Sequence, residues 1–273
     1  MSNEQDKRTS RPSLASYNKT IIAIGATIGA VIAIWSFGVW LYSRYVSWQD
    51  KTPQAEYKRL ESLEPGVQVR IFSDRMGVEP QSCRQHGNIK TCTYVKPNEL
   101  VQVAIDEDEQ VLAFSVTVTT RGFTPTLTWA GRPIVLGKTS IEQALSGPSF
   151  VPDRVTGYAD MRSWGYLESS GSFGVANFQE CAIGVSNKGY VDDSSSLGIG
   201  HPVSDLLERA VNPTRRGSPY PWPGKEVSWA SREKTQEFFN AAAVQDYRRH
   251  AIMNTMVLTA PNVDVTTLHE LVP

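Results

Sequence analysis

The stretch VQVAIDEDEQVLAFSVTVT, residues 101–119, decides the fold of this chain. From Val101 to Ile105 every second residue is a large aliphatic one, which is the period-two pattern of a half-buried β-strand. The acidic run at residues 106–109 predicts a turn, and residues 111–119 return as a second strand. The four acids lack the Gly and the distal Glu of an EF-hand loop, so they favour a solvated hairpin tip over a calcium site.

Two stretches on either side of this hairpin share one pattern and predict a duplication. They read LEPGVQVRIFSDRMGVEP (residues 63–80) and VLGKTSIEQALSGP (residues 135–148). In each, a Gly precedes a short amphipathic helix that ends at a second Gly followed by a Pro, which is a helix stop signal. The alternative is that two short segments match by accident. The corresponding residues are Gly66 and Gly137, then Val69, Phe72 and Met76 against Ile141 and Leu145, then Gly77 and Gly147, Pro80 and Pro148, and finally Tyr94 and Tyr166.

This order of Gly, helix, Gly-Pro, Tyr strand and hairpin resembles the BamE-like (SmpA/OmlA) domain over about residues 60–190. Its tandem form resembles the β-lactamase-inhibitor-like fold, which implies two joined helix-plus-antiparallel-sheet units. In the latter family a Cys pair often links the helix segment to the first strand, and Cys83 and Cys92 stand at the matching place. This chain departs from the pattern, because its second copy lacks the Cys pair and it has an apolar segment where BamE-like proteins carry a lipid-bearing Cys. The partners of those families are therefore not transferred.

The residues between the two cysteines support the same pairing. Cys83 and Cys92 bracket a short polar loop, CRQHGNIKTC, flanked by turn and strand signals. A disulfide there requires an oxidising compartment. The alternative is two unrelated reduced thiols.

Residues 21–42, IIAIGATIGAVIAIWSFGVWLY, predict a transmembrane helix. They carry no charge, and as a helix they rise about 33 Å, enough to cross the hydrocarbon layer. No small-x-small cleavage site follows, so an uncleaved anchor is favoured over a signal peptide. Small residues at every fourth position form a ridge for close packing of two such helices, although Gly and Ala are common in these helices by chance. The ridge consists of Gly25, Gly29 and Ala33.

Lys and Arg flank this helix almost equally on both sides, so the orientation rests on the cysteines. We expect a cytoplasmic N-terminus and an extracytoplasmic main domain. The expected organisation is α+β, with a polar tail (1–19), the transmembrane helix (20–43), a juxtamembrane segment (44–60), repeat 1 (61–125), repeat 2 (126–192) and a C-terminal helical and extended region packing on the repeats (193–273). Within the last region we predict helices at 203–211 and 231–250 and a strand at 252–259.

No catalytic, cofactor or metal site is predicted. The formal net charge of −1 argues against a nucleic-acid role. The four histidines make no metal spacing with one another or with Cys. Aromatic residues on or beside loops and strand ends are candidate partner contacts, and the alternative is that they fill the core. These candidates are Trp129, Trp164, Tyr166, Tyr220 and Trp222.

The expected function is a membrane-anchored, extracytoplasmic binding or assembly module of the bacterial cell envelope. It would be a single-pass inner-membrane protein, non-catalytic, acting through protein–protein contacts. Two alternatives stand beside it. One is an enzyme acting on an envelope substrate in a cleft between the repeats and the C-terminal region. The other is a structural homodimer formed through the transmembrane helix.

Overall fold

The computed structural model describes residues 53–146, 152, 154–159, 164–171, 179–197, 201–211 and 232–263. The chain divides into two compact units, residues 1–55 and 56–273, and of the first only residues 53–55 are described. The predicted transmembrane helix and its Gly25, Gly29 and Ala33 ridge lie outside these ranges. Within them, no helix combines the length and apolar character needed to cross a membrane.

The described ranges contain ten strands, six α-helices and a short 3₁₀ helix. The helices are α1 (Pro53–Glu61), α2 (Val69–Met76), α3 (Ile141–Leu145), α4 (Pro202–Val211), α5 (Arg232–Asn240) and α6 (Ala242–His250), with the 3₁₀ turn at Asp193–Ser195. The strands are β1 (Ser82–His86), β2 (Ile89–Val95), β3 (Glu99–Ile105), β4 (Val111–Val118), β5 (Thr126–Trp129), β6 (Arg132–Val135), β7 (Arg154–Ala159), β8 (Trp164–Gly171), β9 (Glu180–Ser186) and β10 (Thr255–Thr259).

Eight strands form one antiparallel sheet in the order β1-β2-β3-β4-β10-β9-β8-β7, and β5 and β6 form a separate hairpin. The fold is therefore α+β, as predicted, with most of its strands in one large antiparallel sheet. The strand expected near residues 252–259 is present, and it lies in the middle of the sheet. It pairs with β4 on one side and with β9 on the other.

The hairpin predicted at residues 101–119 is confirmed as β3 and β4. Its turn is held by the Asp106 side chain, which accepts hydrogen bonds from the backbone N–H groups of Asp108 at 3.0 Å and Gln110 at 2.8 Å. Glu109 adopts a positive φ of 58°. The acidic run is thus a turn whose first carboxylate satisfies backbone donors.

The two Gly-helix segments have matching backbone features. Gly66 and Gly137 both adopt a positive φ, 82° and 73°. The N–H of Gly66 donates to the carbonyl of Val111 at 2.6 Å, and the N–H of Gly137 donates to that of Met253 at 2.7 Å. A short helix begins a few residues after each Gly.

All six helices contribute to an apolar core on one face of the eight-stranded sheet, which we call the helix face. Its buried helical side chains include Leu60, Phe72, Ile141, Val203, Phe239 and Val244, and its strand side chains include Tyr94, Val103, Phe114, Val116, Ile183 and Met256. The β5–β6 hairpin adds Leu127, Trp129 and Ile134 to the same core.

Three local features differ from the sequence predictions. The polar loop expected between Cys83 and Cys92 is a β-hairpin, β1–β2, with the two cysteines directly opposite each other. The helix expected over residues 231–250 is two helices, because Ala241 adopts an extended backbone with φ −62° and ψ 133°. The β5–β6 hairpin was not predicted; its turn carries Ala130 and Gly131, both at positive φ.

Candidate binding surface

The sheet face opposite the helices, called here the second face, is built from the alternate residues of each strand. Ser115 of β4 stands opposite Gln102 of β3 and Val257 of β10. The same row continues through Ala182 of β9 to Ser169 of β8. The next row runs through Leu100, Thr117, Thr255, Gly184 and Leu167.

Small side chains dominate the centre of the second face. Thr117 and Thr255 are buried neighbours whose hydroxyl oxygens lie 3.0 Å apart. The hydroxyls of Ser115 and Ser169 are buried and have no hydrogen-bond partner among the described residues. Polar atoms without partners are uncommon in protein interiors. The centre of the second face therefore carries short side chains, and two of its hydroxyl groups could still form hydrogen bonds.

Gly184 shows how closely the strands meet on this face. A Cβ atom at Gly184 would lie 1.9 Å from the carbonyl oxygen of Tyr166 and 2.9 Å from the Cα of Leu167. No side chain fits at that distance. The position requires Gly so that β8 and β9 can pair.

Near β1, β2 and β3 the second face reaches solvent. Val95 is 49% exposed and pairs with half-buried Leu100 across the β2–β3 ladder. Thr93 and Gln102 are half-buried beside them, and Arg84 is exposed on the edge strand. We call this set, Arg84, Thr93, Val95, Leu100 and Gln102, the edge patch. It places exposed Val95 and half-buried Leu100 among polar side chains.

The Cys83–Cys92 disulfide fixes the strands that carry the edge patch. The predicted pair is joined in the structure. Cys92 belongs to the helix-face core, so the bridge lies on the opposite side of the sheet from Val95. The bridge ties the edge strand β1 to β2 without covering the patch.

Cys181 is a buried free thiol whose pKa is raised well above its ordinary value by burial.

The aromatic residues predicted as partner contacts do not form a common surface. Trp129 and Tyr166 are 1% and 0% exposed. Both therefore fill the core, which was the alternative to a partner contact. Trp164 is half-buried at the start of β8. Tyr220 and Trp222 lie outside the described residues. The large hydrophobic side chains that are exposed among the described residues are aliphatic: Ile71, Val78 and Val95.

Val95 was missed although the sequence carries a signal for it. Thr91, Thr93 and Val95 alternate with Cys92 and Tyr94, so a strand through these residues places Val95 on the polar side. The predicted loop extends to Cys92, so the strand that places Val95 on this face was not part of the prediction.

A buried ion pair joins α6 to β8 on the helix face. The Arg248 guanidinium donates to both carboxylate oxygens of Glu168, at 2.7 and 2.6 Å, and the Tyr166 hydroxyl donates to the same carboxylate at 2.6 Å. Arg248 also lies 4.3 Å from the centre of the Phe239 ring. Burial alone would lower the pKa of Arg248, but the Glu168 carboxylate outweighs it and raises that pKa. Burial, reinforced by Glu168, raises the pKa of Tyr166 well above its usual range.

A second buried pair joins α1 to β3. Arg59 donates to Glu99, which is fully buried, and Asn98 donates to Glu56 at 2.7 Å. One carboxylate oxygen of Glu99 and the Nε of Arg59 have no hydrogen-bond partner among the described residues. Burial raises the pKa of Glu99, and the attraction of Arg59 only partly opposes this. Both ion pairs attach helices to the sheet, and each carboxylate is already engaged by an arginine.

The histidines take separate positions. The His201 ring accepts a hydrogen bond from the N–H of Val203 at 3.2 Å and packs edge-on to Tyr247. His86 and His250 are exposed, and His269 is outside the described residues. Across the described ranges, no group of three His, Cys, Asp or Glu side chains is arranged to hold a metal ion.

Comparisons with known proteins add no identification. The chain matches no protein-family model, no curated protein and no solved structure. The resemblance to BamE-like and β-lactamase-inhibitor-like domains stays a prediction from the sequence.

Proposed function

We propose that this protein is a membrane-anchored, extracytoplasmic binding or assembly module of the bacterial cell envelope, non-catalytic, which contacts a protein partner through the edge patch. The observation that carries this proposal is exposed Val95, paired with half-buried Leu100, on a sheet whose other face holds the helices. Exposed aliphatic side chains rimmed by polar ones are typical of protein–protein contacts.

The disulfide supports the extracytoplasmic location. A Cys83–Cys92 bridge persists in an oxidising compartment and is rare in a reducing cytoplasm. Together with residues 20–43 as an anchor, it supports a cytoplasmic N-terminus at the inner membrane. Mass spectrometry of native membranes, with free thiols blocked before lysis, should recover the two cysteines as one bridged peptide. Blocked thiols at both positions would remove the support for this orientation.

A duplicated architecture is part of the proposal. The boundary between β4 and β10 divides the sheet into two groups of four strands. Gly66 and Gly137 both have a left-handed backbone. The N–H of Gly66 donates to Val111, the first residue of β4, and the N–H of Gly137 donates to Met253, two residues before β10. This supports two helix-plus-sheet units joined through their last strands. In this arrangement the second unit takes its last strand, β10, from the region after residue 192.

The contact is tested by photocrosslinking in intact cells. A photoreactive amino acid at Val95 should give one reproducible adduct with an envelope protein. The control position is Ile71, an aliphatic residue on α2 with 46% exposure, close to the 49% of Val95. The partner identified from the adduct should co-purify with the unmodified chain and not with Val95→Asp. The same adducts at both positions, or co-purification unaffected by Val95→Asp, would exclude the edge patch as the contact.

Self-association through the membrane helix is a separate part of the proposal. The Gly25, Gly29 and Ala33 ridge supports it, because small residues let two helices approach closely. Gly29→Ile should weaken self-association of the full chain in membranes. Unchanged association would exclude the ridge as the contact between two helices. It would not affect the proposal for the edge patch.

A further inference from the structure

The centre of the second face is buried, and the described elements cover only part of it. The backbone at Gly189 lies beside Thr117, since a Cβ atom at Gly189 would be 2.7 Å from the Thr117 Cγ2. Val257 is 0% exposed, Ser115 and Ser169 are 1% exposed, and Leu167 is 2% exposed. The helices pack on the other face. Of the described apolar side chains that pack against the second face, Val263 alone lies outside the strands.

Val263 shows which part of the chain approaches this face. After β10 the chain turns, with Asn262 at a positive φ of 64° and the N–H of Val263 donating to the carbonyl of Ala260 at 3.3 Å. The Val263 side chain then packs against the pair Ala104 and Ala113, which lie on the second face near the end of β3 and the start of β4. The described chain therefore ends at the second face, with Val263.

The residues that follow Val263 suit that position in length and character. They read DVTTLHELVP, residues 264–273, with apolar Val265, Leu268, Leu271 and Val272 separated by polar residues. Ten residues span about 15 Å as a helix and about 33 Å when extended. The buried centre measures about 13 Å along β4 from Ala113 to Thr117 and about 14 Å across from β4 to β8. An extended segment reaches across the diagonal of this area, about 19 Å, and a helix covers its length or its width.

We propose that residues 264–273 dock on the second face and cover its centre with their apolar side chains. The Ser, Thr, Ala and Gly residues there leave room for such a segment. The C-terminal segment thereby covers the centre of the second face. Of that face, a partner then has access to the edge patch alone unless the segment is displaced. This proposal holds whether or not a partner binds at Val95.

The test uses a thiol introduced by Ser169→Cys in the full chain, with its rate of reaction with a maleimide as the readout. Cys83 and Cys92 are bonded and do not react, and buried Cys181 on the helix face reports global unfolding. The introduced thiol should react slowly. Leu268→Asp combined with Leu271→Asp should raise its rate about tenfold or more, since burial of each Leu is worth about 1.5–3 kcal/mol. Thr266→Asp with His269→Asp adds the same charge at polar positions and should leave the rate unchanged.

Three results would overturn the proposal. They are a fast reaction in the chain without the Asp substitutions, an equal acceleration by both pairs, and a slow reaction unaffected by the Leu pair. The last would assign the cover to a different part of the chain. If the Leu pair also makes Cys181 reactive, the chain has unfolded, and a photoreactive residue at Thr267 decides instead. Crosslinks to peptides of β8–β10 then support docking, and crosslinks elsewhere or none refute it.

Discussion

At the scale of single residues, the contact with the largest expected effect on stability is the Glu168–Arg248 pair. Arg248→Met leaves a buried carboxylate without its cation, which costs about 3–5 kcal/mol. The melting temperature of the purified full chain in detergent should fall by about 10 °C. Adding Glu168→Gln should restore most of the loss, because the amide carbonyl still accepts from the Tyr166 hydroxyl and carries no charge.

The next residue in the chain provides a matched control. Arg249 pairs with Glu142 at 3.6 Å, and both side chains are about half exposed. Solvent screens such a pair, so Arg249→Met should cost about 1 kcal/mol or less. If Arg248→Met is no more harmful than Arg249→Met, the buried pair contributes no net stability.

Glu99 gives a pH dependence of known sign. Its pKa is raised in the folded state, so the folded chain binds a proton more readily than the unfolded chain. The stability contributed by this group is fully present below the unfolded pKa and is lost as pH rises through the folded pKa. Glu99→Gln, which resembles the protonated acid, should flatten the fall in melting temperature between about pH 4.5 and neutral pH. A slope identical to that of the parent chain would contradict this assignment.

At the scale of elements, the β8–β9 ladder depends on Gly184. Gly184→Ala forces a Cβ against the Tyr166 carbonyl oxygen, so the two strands must move apart, and we expect a loss of about 3 kcal/mol or more. The control is Ala182→Gly, two residues earlier on the same strand and face, which should cost about 1 kcal/mol. Thermal unfolding of both variants measures the difference. Similar melting temperatures would mean that the strands tolerate a wider spacing.

The elements were predictable where their signal is local. The hairpin at residues 101–119 and the helices after Gly66 and Gly137 follow from periodicity and stop signals within a few residues. The burial of Trp129 and Tyr166 was not predictable, because an aromatic residue at a strand end is exposed or buried according to what packs over it. The Glu168–Arg248 pair joins residues far apart in sequence and leaves no local pattern.

At the scale of the whole molecule, the position of β10 is the least predictable and most consequential feature. A strand late in the chain was expected, but its periodicity cannot say which strands it pairs with. In the structure it fills the gap between β4 and β9, so β1–β4 and β7–β9 have no direct sheet contact with each other. Both parts of the sheet should therefore depend on it.

Val257→Pro tests that dependence. Val257 pairs with Ser115 on one side and with Ala182 on the other, and Pro removes a backbone donor and does not fit a central strand. Limited proteolysis of the full chain should then cleave within β3–β4 and within β8–β9 together. The control is Gln85→Pro on edge strand β1, which has one neighbour and should open the β1–β2 hairpin alone. A protease-resistant fragment of residues 56–118 surviving Val257→Pro would show instead that the first four strands fold without β10, because the sheet edge left by its loss would then be stable by itself.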